Sequence, residues 1–374
     1  MEDEEVKGLL KSLNEAESLP EESTESRLQR LKSLLDSISS NSESSEEISN
    51  PMLLLQARHQ FSSFSLSKAQ SRLILEKTLP SPKPKIFAAV GSMFCDNRLP
   101  MGVSFDDKTQ MIGIAGWSCE GSIWDLKGTQ IRKLEGHKDR VQCIDIKNSN
   151  ILTGSFDNTI KLWQDGSLTL IGHNARVNNV KWHPDLVHSL SSSHDMTWKL
   201  WDCHKGLCIQ SQDGHNRGVY ALSVHQDGSL VVTGDLSGIG AVWDLRTGKH
   251  ILTLKSHLKQ ILACDIAPNG FQVATGSEDH TVKIWDLRKK ALMYTIPAHT
   301  KLVSSLSISS DAVASGSYDG FIKIWSLEDF SLVQNINLNC KVTDAVFDCT
   351  GDMLVTTSFD RTFKIWTSLK CDTE

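Results

Sequence analysis

The chain has 374 residues, a net charge of −6 and 22% charged residues, a make-up that excludes a wholly disordered chain. Its apolar stretches are only a few residues long, as at Met52–Leu55, which excludes a helix of about 20 residues crossing a bilayer. It opens MEDEEVKG, acidic where a secretion signal is basic and then apolar, and its nine cysteines have no framework spacing, so they read as free thiols of a non-secreted chain.

The modest net charge hides a division. Residues 1–50 hold 13 acidic and 5 basic residues, a net of −8. Val6, Leu9, Leu10 and Leu13 follow helical spacing, as do Leu28, Leu31, Leu34, Leu35 and Ile38, with Pro20 between them. This predicts a helical hairpin over 1–38, too small to fold well alone. It either packs on the rest of the chain or holds a partner. Residues 39–50, SSNSESSEEISN, read as a flexible acidic linker.

Residues 51–85 reverse the sign, with one acidic and six basic residues. Met52–Phe61 and Ser67–Leu79 read as two helices, with Ser67 capping the second. Arg58, Lys68, Arg72, Lys77, Lys83 and Lys85 are candidate phosphate contacts, beside Phe61 and Phe64. A merely solvated basic helix face is the alternative. Pro80–Pro84, PSPKP, reads as a semi-rigid spacer.

The remainder is a repeat, betrayed by ten tryptophans against three tyrosines. Trp124, Trp163, Trp201, Trp243, Trp285, Trp325 and Trp366 follow one another at spacings of 39, 38, 42, 42, 40 and 41 residues. Gly-His precedes the Trp at His137, His173 and His215, and Trp-Asp recurs at 124, 201, 243 and 285. Such a period with these dipeptides is the WD40 signature. In the fifth unit, strands are expected at Ile261–Ile266, Gln272–Gly276, Thr281–Leu287 and Leu292–Ile296. The fold expected is all-β: a seven-bladed WD40 β-propeller over 86–374 with an N-terminal α-helical extension. Strand 86–90 is expected to complete the last blade and hide its edge.

The recurring polar residues read as buried hydrogen-bond chains running Asp–His–Ser–Trp. The sets are His137/Ser155/Asp157/Trp163, His173/Ser193/Asp195/Trp201, His257/Ser277/Asp279/Trp285 and His299/Ser317/Asp319/Trp325. Four copies in one register argue for structure rather than for a hydrolase triad. Unit four has Ser237 where the Asp is expected, unit seven has Leu338 for the His, and unit one has Ser118 for the Asp.

Function on a propeller is expected in the rim loops. The residue before each tight-turn Asp gives Trp117, Phe156, His194, Leu236, Glu278, Tyr318 and Phe359. The aromatic ones, Trp117, Phe156, Tyr318 and Phe359, fall in consecutive blades once the ring closes. Arg140, Arg176 and Lys341 flank them. An aromatic and basic sector is the composition of a protein-binding hot spot, and could also stack bases. Rings that merely cover the blade tops are the alternative. No catalytic residue, metal site or cofactor is expected: there is no phosphate-cradling loop, and Cys203, His204 and Cys208 lack metal spacing.

Several stretches carry a more specific resemblance. GVYALSVHQDGSL at 218–230, WDLRTGK at 243–249, SHLKQI at 256–261, PNGFQVATGS at 268–277, KIWDLR at 283–288, YTIPAH at 294–299 and SFDRTFKIW at 358–366 resemble the WD-repeat protein of the U4/U6 small nuclear ribonucleoprotein, the pre-mRNA processing factor four family. EVKGLLKSL at 5–13 and RLQRLKSLL at 27–35 resemble that family's helical splicing-factor motif. The resemblance implies a nuclear, non-catalytic scaffold of the U4/U6·U5 tri-snRNP. It would bind the U4/U6 protein processing factor three through the propeller. It would meet U4/U6 snRNA, directly or through bound proteins, by the basic segment. A competing reading is a substrate receptor of a cullin-type ubiquitin ligase, from the WDxR motifs at 243–246 and 285–288.

Overall fold

The computed structural model describes residues 51–78, 85–164, 167–348 and 350–369. The expected hairpin over 1–38, the linker over 39–50 and Lys83 lie outside the described residues. The described residues form one helix, α1 (Pro51–Thr78), and seven four-stranded antiparallel sheets. The sheets are the blades of a β-propeller, each with strands a to d from the centre outward. Strand a begins at Pro100, Val141, Val177, Val219, Ile261, Val303 and Val342 in blades 1 to 7.

Each blade is apolar on both faces because it is packed between two neighbours. Strand c of blade 5, Val282–Asp286, is buried at every residue. Its strand d, Ala291–Ile296, is exposed except at its last residue, as an outermost strand must be.

The last blade is built from both ends of the chain. Its strands a, b and c are Val342–Phe347, Met353–Ser358 and Thr362–Ser368, and its strand d is Phe87–Phe94. The closing strand thus runs four residues beyond the expected 86–90. It pairs antiparallel from Phe87↔Ser368 to Phe94↔Thr362. It skips Val90 between Ala89↔Trp366 and Gly91↔Ile365. Blade 5 makes the same skip, at Met293, between Trp285↔Leu292 and Ile284↔Tyr294. The borrowed strand therefore reproduces the bulge that accommodates the tryptophan elsewhere. Gln334 of blade 6 clamps its start: the Phe87 amide donates to Gln334 Oε1 and Gln334 Nε2 donates to the Phe87 carbonyl, both at 2.8 Å.

The buried polar chains exist, but with a different hydroxyl. In blade 2 the Trp163 indole N–H donates to Thr153 Oγ1 at 2.9 Å, and His137 Nε2 meets the same oxygen at 2.8 Å. Asp157 Oδ2 lies 2.9 Å from His137 Nδ1. Ser155, the expected partner, instead donates to the Asp139 carbonyl and accepts from the Asp157 amide. Geometry explains the correction. Trp163 lies directly across from Ile151. Thr153 is one diagonal step along the same face, whereas Ser155 is about 13 Å along the strand at 3.3 Å per residue. Ser191, Thr275 and Ser315 take this role in blades 3, 5 and 6, displacing Ser193, Ser277 and Ser317. His173, His257 and His299 meet Asp195, Asp279 and Asp319 as foreseen.

Proton bookkeeping follows from the acceptors. An ionised Asp only accepts, so Nδ1 carries the hydrogen. Burial holds His137, His173 and His299 below the usual imidazole range, so the ring is neutral and Nε2 accepts. The hydroxyl then donates to Nε2 and accepts from the indole, fully satisfied. Burial opposes ionisation of Asp157, but the Thr159 hydroxyl, the Lys138 amide and His137 together hold it at about 2.

Blade 4 solves its missing Asp from another position. Asp235 stands where other blades carry the Ser, and its carboxylate lies 3.3 Å from His215 Nδ1. Thr233 joins His215 to Trp243. In blade 7, Thr356 accepts from Trp366 without a histidine, and in blade 1 Ser122 accepts from Trp124.

Two outcomes test this account. Deleting residues 86–94 bares the edge of Thr362–Ser368 and should replace a single cooperative melt by a broadened or split one, read by calorimetry. Thr153→Val should cost about 1–3 kcal/mol by leaving the indole N–H unpaired, and should shift the Trp163 indole resonance. Ser155→Ala should leave that resonance in place.

Candidate partner-binding site

At one end of the propeller each blade makes the same backbone bond. The residue after strand b donates its amide to the carbonyl just before strand a. The pairs are Trp117 to Leu99, Phe156 to Arg140, His194 to Arg176, Leu236 to Gly218, Glu278 to Gln260, Tyr318 to Leu302 and Phe359 to Lys341, at 2.9 to 3.3 Å. These fourteen positions form a double ring around the mouth. The seven rim residues named from the sequence are one of its two circles.

The ring is not uniform. Arg140 lies over the Trp117 indole at 4.3 Å, and Arg176 over the Phe156 ring at 5.0 Å. Lys341 sits over both Tyr318 and Phe359, at 5.5 and 5.2 Å. Those two rings meet edge to face at 5.4 Å. Each arginine belongs to the blade after the ring it covers, so the cation–π contacts bridge neighbouring blades. The four aromatic rim residues, Trp117, Phe156, Tyr318 and Phe359, and the three cations expected to flank them are thus brought into one arc over blades 6, 7, 1, 2 and 3. Arg98, which the sequence reading missed, joins it: its Nη1 donates to the Trp117 carbonyl at 3.5 Å. The arc is half-buried apart from Arg98 and Lys341, which are exposed.

The other side of the mouth is different. Blades 4 and 5 contribute Gly218, Leu236, Gln260 and Glu278. Glu278 is paired with Lys259 at 3.7 Å. Deeper in, Gln142 donates to Tyr220 Oη at 3.2 Å across the propeller, and burial pushes the Tyr220 phenol up to about 12.

This architecture matches a family. The description "WD domain, G-beta repeat" fits residues 128–164, 166–202, 206–244, 248–286, 290–326 and 331–367, together more than half of the chain. The chain belongs to the WD40 family. Strands a to c of its first blade lie outside the matched segments, and this is the blade with neither Gly-His nor tight-turn Asp. A WD40 propeller is a scaffold-type fold that works through protein contacts. More specific likenesses are partial. The ribosome biogenesis protein WDR12 homolog of Drosophila persimilis is 36% identical over 108 residues, 26% of each chain. Its Anopheles gambiae counterpart is 32% identical over 110 residues, 27% of this chain and 26% of that one. The U4/U6 small nuclear ribonucleoprotein PRP4 of Saccharomyces cerevisiae is 29% identical over 135 residues, 32% of this chain and 29% of that one. The chain thus spans between a quarter and a third of the length of these curated relatives. The likeness to the splicing protein, over 32% of this chain, is narrower than the resemblance read from the sequence, whose stretches run from residue 5 to residue 366.

The basic segment sits at the opposite end of the WD40 propeller, and it corrects an expectation. Residues 51–78 form one helix, not two. Nothing between Phe61 and Ser67 breaks it: Ser63 and Ser65 turn their hydroxyls back to the Gln60 and Ser62 carbonyls. Leu54, Ala57 and Phe61, at spacings of three and four, enter the core beside Leu190, Trp198, Ile209 and Leu222. The Phe61 ring is fully buried and lies 4.5 and 4.9 Å from the His183 and His188 rings.

Three of the six candidate phosphate contacts are engaged within the chain. Arg58 packs against the Gly248 turn beside Asp244, and burial lowers its pKa. Arg72 donates to Asp227 at 3.0 and 3.1 Å and to the Asn269 carbonyl at 2.8 Å. Lys85 is paired with Asp352 at 2.8 Å. Lys68 is exposed beside the Phe64 ring. The Lys77 side chain is outside the described residues. Among the described residues the structure therefore does not gather these cations into one free face.

Two further groups have structural duties. His183, Asp185 and His188 offer ligand atoms within 4.8 Å of one another. Asp185 already binds both Nδ1 atoms, and His183 Nε2 donates to the Gly228 carbonyl, so the cluster is the seat of α1. Burial opposes ionisation of Asp185, but the two histidines hold it well below the usual carboxylate range. Cys203 bonds Ser189 and Cys208 faces the Gln210 carbonyl, so they do not converge with His204. In the WDxR motifs, Arg246 and Arg288 fork back onto their own Asp244 and Asp286.

Phe61→Ala should remove about 3–5 kcal/mol of packing from the helix seat. Hydrogen exchange should then show lost protection over 51–78 with the blade amides unchanged.

Proposed function

We propose that this chain is a non-catalytic scaffold of nuclear ribonucleoprotein assembly, and specifically of the U4/U6 and U4/U6·U5 particles of pre-mRNA splicing. The observation that carries the scaffold reading is the aromatic and cationic arc across blades 6, 7, 1, 2 and 3. It is an amphipathic, preorganised patch of the residue types that dominate binding energy at interfaces. Its partner would be the U4/U6 protein processing factor three. The particle is suggested by the sequence resemblance and by the partial likeness to PRP4. U4/U6 RNA, or protein bound to it, would be met at the α1 end, where Lys68 is exposed among the candidate contacts whose side chains are described.

A second reading is a scaffold in ribosome biogenesis. The higher identity to the WDR12 homologs, over a shorter span, favours it. Both readings share a propeller with one protein-binding mouth and differ in the particle.

Affinity purification of the tagged full chain from nuclear extract, with sequencing of the RNA recovered, separates them. U4 and U6 RNA with tri-snRNP proteins are expected. Pre-ribosomal RNA with ribosome assembly factors would select the second reading. A ligase adaptor recovered with neither RNA would overturn both. Trp117→Ala with Phe359→Ala should cut partner recovery by about ten-fold or more, since hot-spot truncations typically cost over 1 kcal/mol each. The half-exposed positions of both rings predict only a small change in Tm.

A further inference from the structure

We propose that the mouth of the propeller binds an extended acidic segment of a partner protein, whose Asp or Glu carboxylates lie on the edges of Arg140 and Arg176. This rests on the reading of the mouth as a partner site and names the chemistry of the partner.

The first observation is unbalanced charge. Among the described residues, no carboxylate pairs with Arg140, Arg176 or Lys341 within 4.0 Å. The acids nearby are committed elsewhere. Asp157 and Asp195 terminate the buried chains and accept from the Lys138 and Asn174 amides. Asp139 caps the Arg140 amide at 2.7 Å. The single carboxylate of the double ring, Glu278, lies on the far side with Lys259.

The second observation concerns what each group still has to offer. The guanidinium planes lie on the Trp117 and Phe156 faces, and Lys341 covers Tyr318 and Phe359. Ring faces covered in this way are not platforms for nucleobases, which need an open π-surface. A stacked guanidinium keeps its edge, and that edge is a fork of N–H donors matched to a carboxylate. Stacking also fixes the fork before a ligand arrives, so less side-chain freedom is lost on binding. Two such forks on consecutive blades, continued by Arg98 and by the exposed Lys341, make a curved cationic track. An extended peptide with acidic residues at intervals follows that track. The blade 4 part of the mouth, Leu236 and Gly218, is left for its apolar side chains.

The test uses the full chain and fluorescence anisotropy with three labelled probes: a peptide alternating Glu and Ser, its Gln and Ser counterpart, and oligouridine. At low salt the Glu peptide should bind about ten-fold or more tightly than the Gln peptide, the preference fading as salt screens the contact. Arg140→Gln with Arg176→Gln should abolish the preference. Lys289→Gln with Lys290→Gln, the same charge change on a turn at the opposite end, should keep it. Should the glutamine pair fail to fold, Arg140→Lys with Arg176→Lys keeps the charge and loses the fork, and should weaken the Glu peptide several-fold. Equal binding of the two peptides overturns the proposal. So does an unchanged preference in either arginine variant, or oligouridine binding that the arginine variants remove while the Glu peptide is not held. Partner recovery from extract that depends on Trp117, together with no preference for the Glu peptide, sinks this proposal and leaves the scaffold reading standing.

Discussion

Everything in this molecule depends on closing a ring. A four-stranded blade packed against one neighbour only would leave an apolar face and an open edge, both costly in water. Seven blades solve the problem if the last meets the first, and here the chain does so with a strand from its other end. Phe87–Phe94 is hydrogen-bonded along the whole of Thr362–Ser368 and repeats the one-residue skip opposite the tryptophan. Circular continuity also comes from the centre. Asp145 accepts the Trp182 amide, Asp265 the Ile308 amide and Asp344 the Val103 amide, each fastening one strand a to that of the following blade.

The ring then sets where chemistry can be displayed. Strand interiors are occupied by packing and by the Asp–His–hydroxyl–Trp chains. What remains are the two ends. One end carries an asymmetric mouth, aromatic and cationic over five blades and neutral or acidic over the others. The other end is partly roofed by α1, whose Phe61 fills the seat made by His183, Asp185 and His188. Scaffolding by such a body means presenting rigid surfaces with different chemistry in opposite directions.

The tryptophan spacing declared seven blades because each blade carries one indole on strand c, pinned to a strand b hydroxyl in every blade but the first, and indoles are rare enough to stand out. The rim circle was legible for a similar reason: its residues keep a constant offset from the tight-turn Asp. The hydroxyl of the buried chains was read two residues too far along. Ser155, Ser193, Ser277 and Ser317 are the more uniform column. The true column alternates Thr153, Ser191, Thr275 and Ser315, and only the diagonal geometry of strand pairing selects it. The replacement of a missing Asp by Asp235, two positions earlier, is equally invisible to spacing.

The sequence by itself determined the repeat, the fold class, the closing segment and the rim positions, because these follow from periodicity, which is local. Only the tertiary structure decided that residues 51–78 are a single docked helix, that Arg58, Arg72 and Lys85 are engaged within the chain, and that Arg140 and Arg176 lie across the rings of the preceding blade. Charge counted along a sequence does not say which cations have carboxylates beside them. That depends on residues more than a hundred positions away, brought near by the closing of the ring.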